Sequence, residues 1–143
     1  MPLPSDIVAF HAALPAAGRK ICAALGRLID QRLTSIDGIE RKVWHRHPVW
    51  FISGNPIVGY SPMKSDDPPR PCIRLMFWSG QSFDEPLLPP EPPDTKFKSA
   101  GIRYAASTEI NPGDLKRWLD KAVVIQWDYK NIVKRKGKLI RLK

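Results

Sequence analysis

The chain has 143 residues, 43% of them hydrophobic and 26% charged, with a formal net charge of +9 at neutral pH. A chain of that length can bury roughly 70% of its unfolded surface as one domain, so neither a metal nor a disulfide framework is needed to supply a core. No stretch approaches about 18 uninterrupted apolar residues, which excludes a membrane span.

Met1-Pro2-Leu3-Pro4-Ser5-Asp6 carries neither the basic region nor the apolar run of a signal peptide, so the expectation is a cytoplasmic protein without a membrane partner. Cys22 and Cys72 stand alone in the sequence and read as reduced core thiols rather than a zinc knuckle or redox pair. The charge excess is local. Residues 130–143 hold seven basic side chains and no acid other than the terminal carboxylate, and without them sixteen basic residues face fourteen acidic ones. The body, taken as residues 1–133, is close to neutral, and 134–143 reads as a basic tail.

In chain order, Ser5 is placed to cap a short helix carrying Ile7, Phe10, His11 and Leu14. Pro15 opens a second helix whose stripe is Ile21, Leu25, Leu28, Ile29 and Leu33, with Arg19, Lys20, Arg27, Asp30 and Arg32 falling elsewhere. After Asp37-Gly38 the pattern becomes β-branched and aromatic. Strands are predicted near 40–46, 49–53 and 56–61, broken at Pro48 and at a Gly54-Asn55 turn. Pro62–Pro71 reads as a loop. Residues 72–78 form the clearest strand, with Ile73, Leu75 and Phe77 on one face and Arg74 and Met76 on the other. Pro86–Pro93, with five prolines in eight residues, reads as an extended surface connection, and 101–107 as a last strand.

Asn111-Pro112 has the form of a helix start, followed by Leu115, Trp118, Leu119, Ala122, Gln126, Tyr129 and Val133 at helical spacing. One long helix over 112–133 is therefore expected. The fold class that follows is α+β: a five-stranded antiparallel sheet packed by N-terminal helices and one long C-terminal helix.

Several segments then read together. Trp44-His45-Arg46-His47-Pro48-Val49-Trp50-Phe51 precedes Gly54-Asn55-Pro56, Leu75-Met76-Phe77-Trp78-Ser79-Gly80 closes the central strand, and Lys96–Tyr104 leads into the last one. With Leu115–Ala122 and Ile125–Asn131, their order resembles the family catalogued as domain of unknown function 1801, the YdhG-like group, over about residues 5–133. The resemblance implies a small α+β fold with a curved antiparallel sheet between N- and C-terminal helices. Some relatives are regarded as frataxin-like iron chaperones, which would imply an acidic ridge. Here residues 1–36 hold only Asp6 and Asp30, against Arg19, Lys20, Arg27 and Arg32, whereas iron favours clustered carboxylates.

Chemistry-bearing patterns are sparse. His45 and His47, two apart on a predicted strand, would share a face, but a metal site needs further ligands and only His11 remains. Ser79-Gly80-Gln81-Ser82 is not a nucleophile elbow, Asp66-Asp67 and Asp84-Glu85 read as solvated loop charges, and there is no phosphate loop or cofactor fingerprint. No catalytic residue, metal or cofactor is therefore assigned. The aromatic residues are the better candidates. Trp44, His45, His47, Trp50, Arg74, Trp78, Arg103 and Tyr104 are the ligand-binding set, with an arginine facing a ligand's carboxylate or phosphate. Trp127, off the main stripe, is the candidate partner surface, and a homodimer stays open.

The reading is an accessory domain that binds a small anion or a protein. The alternatives are an iron-binding protein and a nucleic-acid-associated protein acting weakly and nonspecifically through its tail.

Overall fold

The computed structural model describes residues 2–63, 72–91 and 97–143. The expected loop at Pro62–Pro71, with Asp66-Asp67, and the end of the Pro-rich connection therefore fall largely outside the described residues.

The chain runs through α1 (Ser5–Ala12) and α2 (Ala16–Leu33) into β1 (Ile39–Trp44), β2 (His47–Ile52), β3 (Asn55–Pro62), β4 (Ile73–Phe77) and β5 (Ala100–Tyr104), then α3 (Pro112–Val124). All neighbouring strands pair antiparallel in the order β1-β2-β3-β4-β5. The fold is α+β, with helices packed on a five-stranded antiparallel sheet.

Side chains alternate across a sheet, so its inner face is built in rows. Trp50, Val58, Phe77 and Ala100 stand opposite one another across β2–β5, and Tyr60, Leu75 and Ile102 form the next row. Ile21, Leu25, Ile29 and Leu33 of α2 and Leu115, Trp118, Leu119 and Ala122 of α3 close over these rows in one core. Trp118 is buried against Phe77, edge to face.

Several local expectations are corrected. Pro4, not Ser5, occupies the cap position of α1, and Asp6 ties that helix down by accepting from the Ile7 and Val43 amides. Pro15 sits at the cap position of α2 rather than inside it. Asp30, read as an outward charge, is buried and accepts from the Trp50 indole at 3.0 Å and from Arg41.

The long C-terminal helix is shorter than expected and stops at Val124, where Ile125 turns extended (φ −119°, ψ 108°). Three β-branched residues in succession, Val123-Val124-Ile125, weaken the last turn. Tertiary bonds then hold the extended path. Buried Gln126 donates to the Val123 carbonyl and accepts from Asn55, while the Asn55 side-chain oxygen accepts from the Tyr129 and Lys130 amides.

The last eighteen residues form a closed lobe. Leu142 donates to the Gln126 carbonyl at 2.7 Å, Asp128 donates to the Ile140 carbonyl at 2.8 Å, and Trp127 bridges Arg141. Inside it, the buried Asp128 carboxylate accepts from the Asn131 amide and from Arg135. Residues 134–143 thus fold back on residues 126–128 and are not the free basic tail that the sequence suggests.

Glu85 fastens the connection after β4 to α3. Its carboxylate accepts from Arg117 at 2.8 and 3.0 Å, from the Trp118 indole at 3.0 Å, and from Lys121. Those donors hold its acidity at about 2. The folded value lies below the ordinary one, so the stabilisation is complete above about pH 4.5 and is lost as pH falls toward 2. Glu85→Gln should cost about 1–2 kcal/mol at pH 7, since Arg117 is partly solvent-exposed. In urea unfolding, the gap between the two proteins should narrow as pH falls below about 4.5 and close only below about 2; an undiminished gap at pH 2 would contradict the clamp.

Candidate functional site

Because the helices occupy the inner face, the chemistry on the sheet has to be sought on the outer one. The structure brings five of the expected residues to that side, leaves His45 in a turn at its edge and separates two. Trp50 and Tyr104 face the main core and are buried there, so they are structural and do not join the candidate site.

The outer face begins at the β1–β2 turn. Trp44 pairs with His47, leaving His45 and Arg46 as a two-residue loop with φ of 50° and 73°. A two-residue hairpin turn with both central residues left-handed is ordinarily made by Asn-Gly or Asp-Gly. His-Arg in that position is strained. The break expected at Pro48 is therefore displaced. Pro48 lies within β2 opposite Val43, and His45 and His47 do not share a strand face. His45 is exposed with its ring against Trp44 at 4.2 Å, while His47 is half-buried at the start of β2.

Two outer rows follow from the register. The first, Val49-Gly59-Met76-Gly101, contains two glycines where the chain approaches closely. A Cβ on Gly59 would lie 2.6 Å from the Pro48 carbonyl and 3.3 Å from the Trp78 ring, and one on Gly101 would lie 2.5 Å from the Leu75 carbonyl. Trp78 therefore lies back over the sheet and forms a small second cluster with Val49 and Phe51, against which Trp44, Met76 and Tyr129 pack. The Trp44 ring meets Phe51 at 5.4 Å and Trp78 at 6.3 Å.

The second row is polar. Ser61, Arg74 and Arg103 stand opposite one another on β3, β4 and β5, and continuing the Val49–Gly59 register brings His47 toward Ser61. Two like charges directly opposite repel. Glu91 sits against both, 3.0 Å from Arg103 and 3.7 Å from Arg74, with its side chain 12% exposed.

Compensation is incomplete. Arg74 Nε and His47 Nδ1 are buried without a hydrogen-bond partner. Burial, then the charges of Arg74 and His45, lower the His47 pKa below its ordinary value, with the Pro48 carbonyl opposing. Near neutral pH the row therefore presents two guanidinium groups and a neutral imidazole.

Trp127 is not a bare patch. Its indole donates to Ser82 at 2.9 Å, its amide donates to Ser79 at 2.9 Å, and Lys98 lies over its ring at 4.9 Å, so the chain itself supplies much of its cover. Among the described residues, no group of three or more His, Cys, Asp or Glu is placed to hold a metal ion. Among the described residues, hollows lie away from the aromatic cluster along α3, between α2 and α3, beside Asp30, and at Asn55 under the C-terminal lobe.

The sequence missed the buried polar pairs of the core. His11 and the Tyr60 hydroxyl meet at 2.6 Å, and burial lowers the His11 pKa. Burial also pushes the Cys22 thiol up to about 12, which leaves it unreactive. No family model, curated protein or solved structure matches the chain.

The strained turn gives a direct test of how the candidate face is built. His45→Asn with Arg46→Gly should raise stability by about 1–2 kcal/mol, because both replacements accept left-handed backbone at lower cost. Chemical denaturation of the double variant checks this. An unchanged or lowered midpoint would mean that the His45–Trp44 contact outweighs the strain.

Proposed function

We propose that the outer sheet face binds a small organic anion, with Arg74 and His47 receiving its carboxylate or phosphate and Trp44 offering a flat apolar surface nearby. One observation carries this reading: two buried polar atoms, Arg74 Nε and His47 Nδ1, lack partners on the same face of the sheet. An unsatisfied buried donor costs about 1–3 kcal/mol, a cost that a bound anion would remove. The Nε–H of an arginine together with a terminal N–H suits the two oxygens of a carboxylate or phosphate. The reading needs no reaction, and the domain is proposed as a binding accessory of the YdhG-like kind. Cytoplasmic work agrees with Cys22 and Cys72 being buried, unpaired thiols.

The test uses phenyl phosphate as probe and benzyl alcohol as the uncharged control, followed by tryptophan fluorescence. Phenyl phosphate should bind and the alcohol should not. Arg74→Leu should weaken binding at least tenfold with little change in the unfolding midpoint, while Trp44→Leu should weaken it less. Equal binding by wild type and Arg74→Leu would remove the reading.

A further inference from the structure

Residues 126–143 carry a feature that an anion site on the sheet does not explain. Their ends are pinned by the Trp127–Arg141 bridge, and the turn between them is set by the Asp128–Arg135 pair and by left-handed Lys136-Gly137. Arg135 is the one cation of the lobe in an ion pair among the described residues. Lys134, Lys136 and Lys138 are exposed on the same lobe, without a carboxylate partner among those residues, and exposed Arg141 donates to the Lys143 main-chain oxygen at 2.9 Å.

The apolar residues make the patch unusual. Val133 at the turn is 86% exposed, Leu142 50% and Ile140 42%. A loose basic tail would leave such residues wherever its chain wandered. Here backbone hydrogen bonds fix the chain that carries them: Lys136 donates to the Val133 carbonyl, Asp128 to the Ile140 carbonyl and Leu142 to the Gln126 carbonyl.

We propose that this lobe docks on an anionic phospholipid surface, lysines and arginine at the headgroups and Val133 entering the interface. Charge complementarity and exposed aliphatic side chains are the two elements of peripheral membrane adsorption. A nucleic-acid backbone would use the cations but would gain nothing from Val133, Ile140 and Leu142. No helix of the described residues is long and apolar enough to cross a bilayer, so the contact is at the surface.

The experiment is co-sedimentation of the full chain with phosphatidylcholine vesicles, with and without 30% phosphatidylserine, across a salt series, and fluorescence anisotropy with a labelled duplex. Binding should require phosphatidylserine and weaken with salt. Lys134→Ala with Lys136→Ala should lower partitioning by about fivefold per cation removed. Val133→Ser, at an exposed position where folding is not at stake, should lower vesicle binding several-fold and leave duplex binding unchanged.

Absence of vesicle binding at low salt would overturn the proposal. So would vesicle binding indifferent to Val133→Ser, which would mark the lobe as a general polyanion contact.

Discussion

Three helices carry apolar stripes that need a surface to close against, and a single sheet has two faces to offer. The structure gives the helices one of them. Rows such as Trp50-Val58-Phe77-Ala100 are consumed by Ile21, Leu25 and Ile29 from one helix and Leu115 and Trp118 from another. Since alternate residues on each strand point away, whatever chemistry the strands carry is displaced to the outer face. The polar row of Ser61, Arg74 and Arg103, with His47 beside it, follows from that division. So does the separation of Trp50 and Tyr104 from the other candidates.

Buried carboxylates tie separate parts of the chain together. Asp30 joins the Trp50 indole to Arg41, Glu85 joins the Trp118 indole to Arg117 and Lys121, and Asp128 organises the turn that Arg135 completes. Each has a cationic donor, as a charge withdrawn from water requires. Glu91 belongs to a different situation. It neutralises an arginine pair from the side, leaving Arg74 Nε unsatisfied.

The alternation of Ile73, Leu75 and Phe77 against Arg74 and Met76 was legible in the sequence because period two is a local property. The stripe from Ile21 to Leu33 was legible for the same reason. Where bonds form between distant segments, the local pattern misleads. Helical spacing continues through Gln126, Tyr129 and Val133, yet Asn55, 71 and 74 positions before Gln126 and Tyr129, bonds to both and holds the chain between them out of the helix. Asp30 lies one position from the apolar stripe, and nothing near it announces the Trp50 indole. His45 and His47 look like a strand pair until the fold puts His45 in the strained corner itself and leaves His47 at the start of β2. Arg74 could be assigned to an outer face from the sequence; that its Nε lacks a partner could not.

If the unsatisfied atoms of His47 and Arg74 mark a binding site, both groups respond to a bound anion. The most direct measurement is an NMR titration of the His47 ring and the Arg74 Nε–Hε group, without and with phenyl phosphate. In the free protein His47 should titrate below the ordinary histidine value. Bound anion should raise that value and shift the Arg74 Nε–Hε resonance, since a neighbouring negative charge favours the imidazolium. A His47 pKa and an Arg74 resonance that stay fixed while lysines of the C-terminal lobe respond would contradict the account.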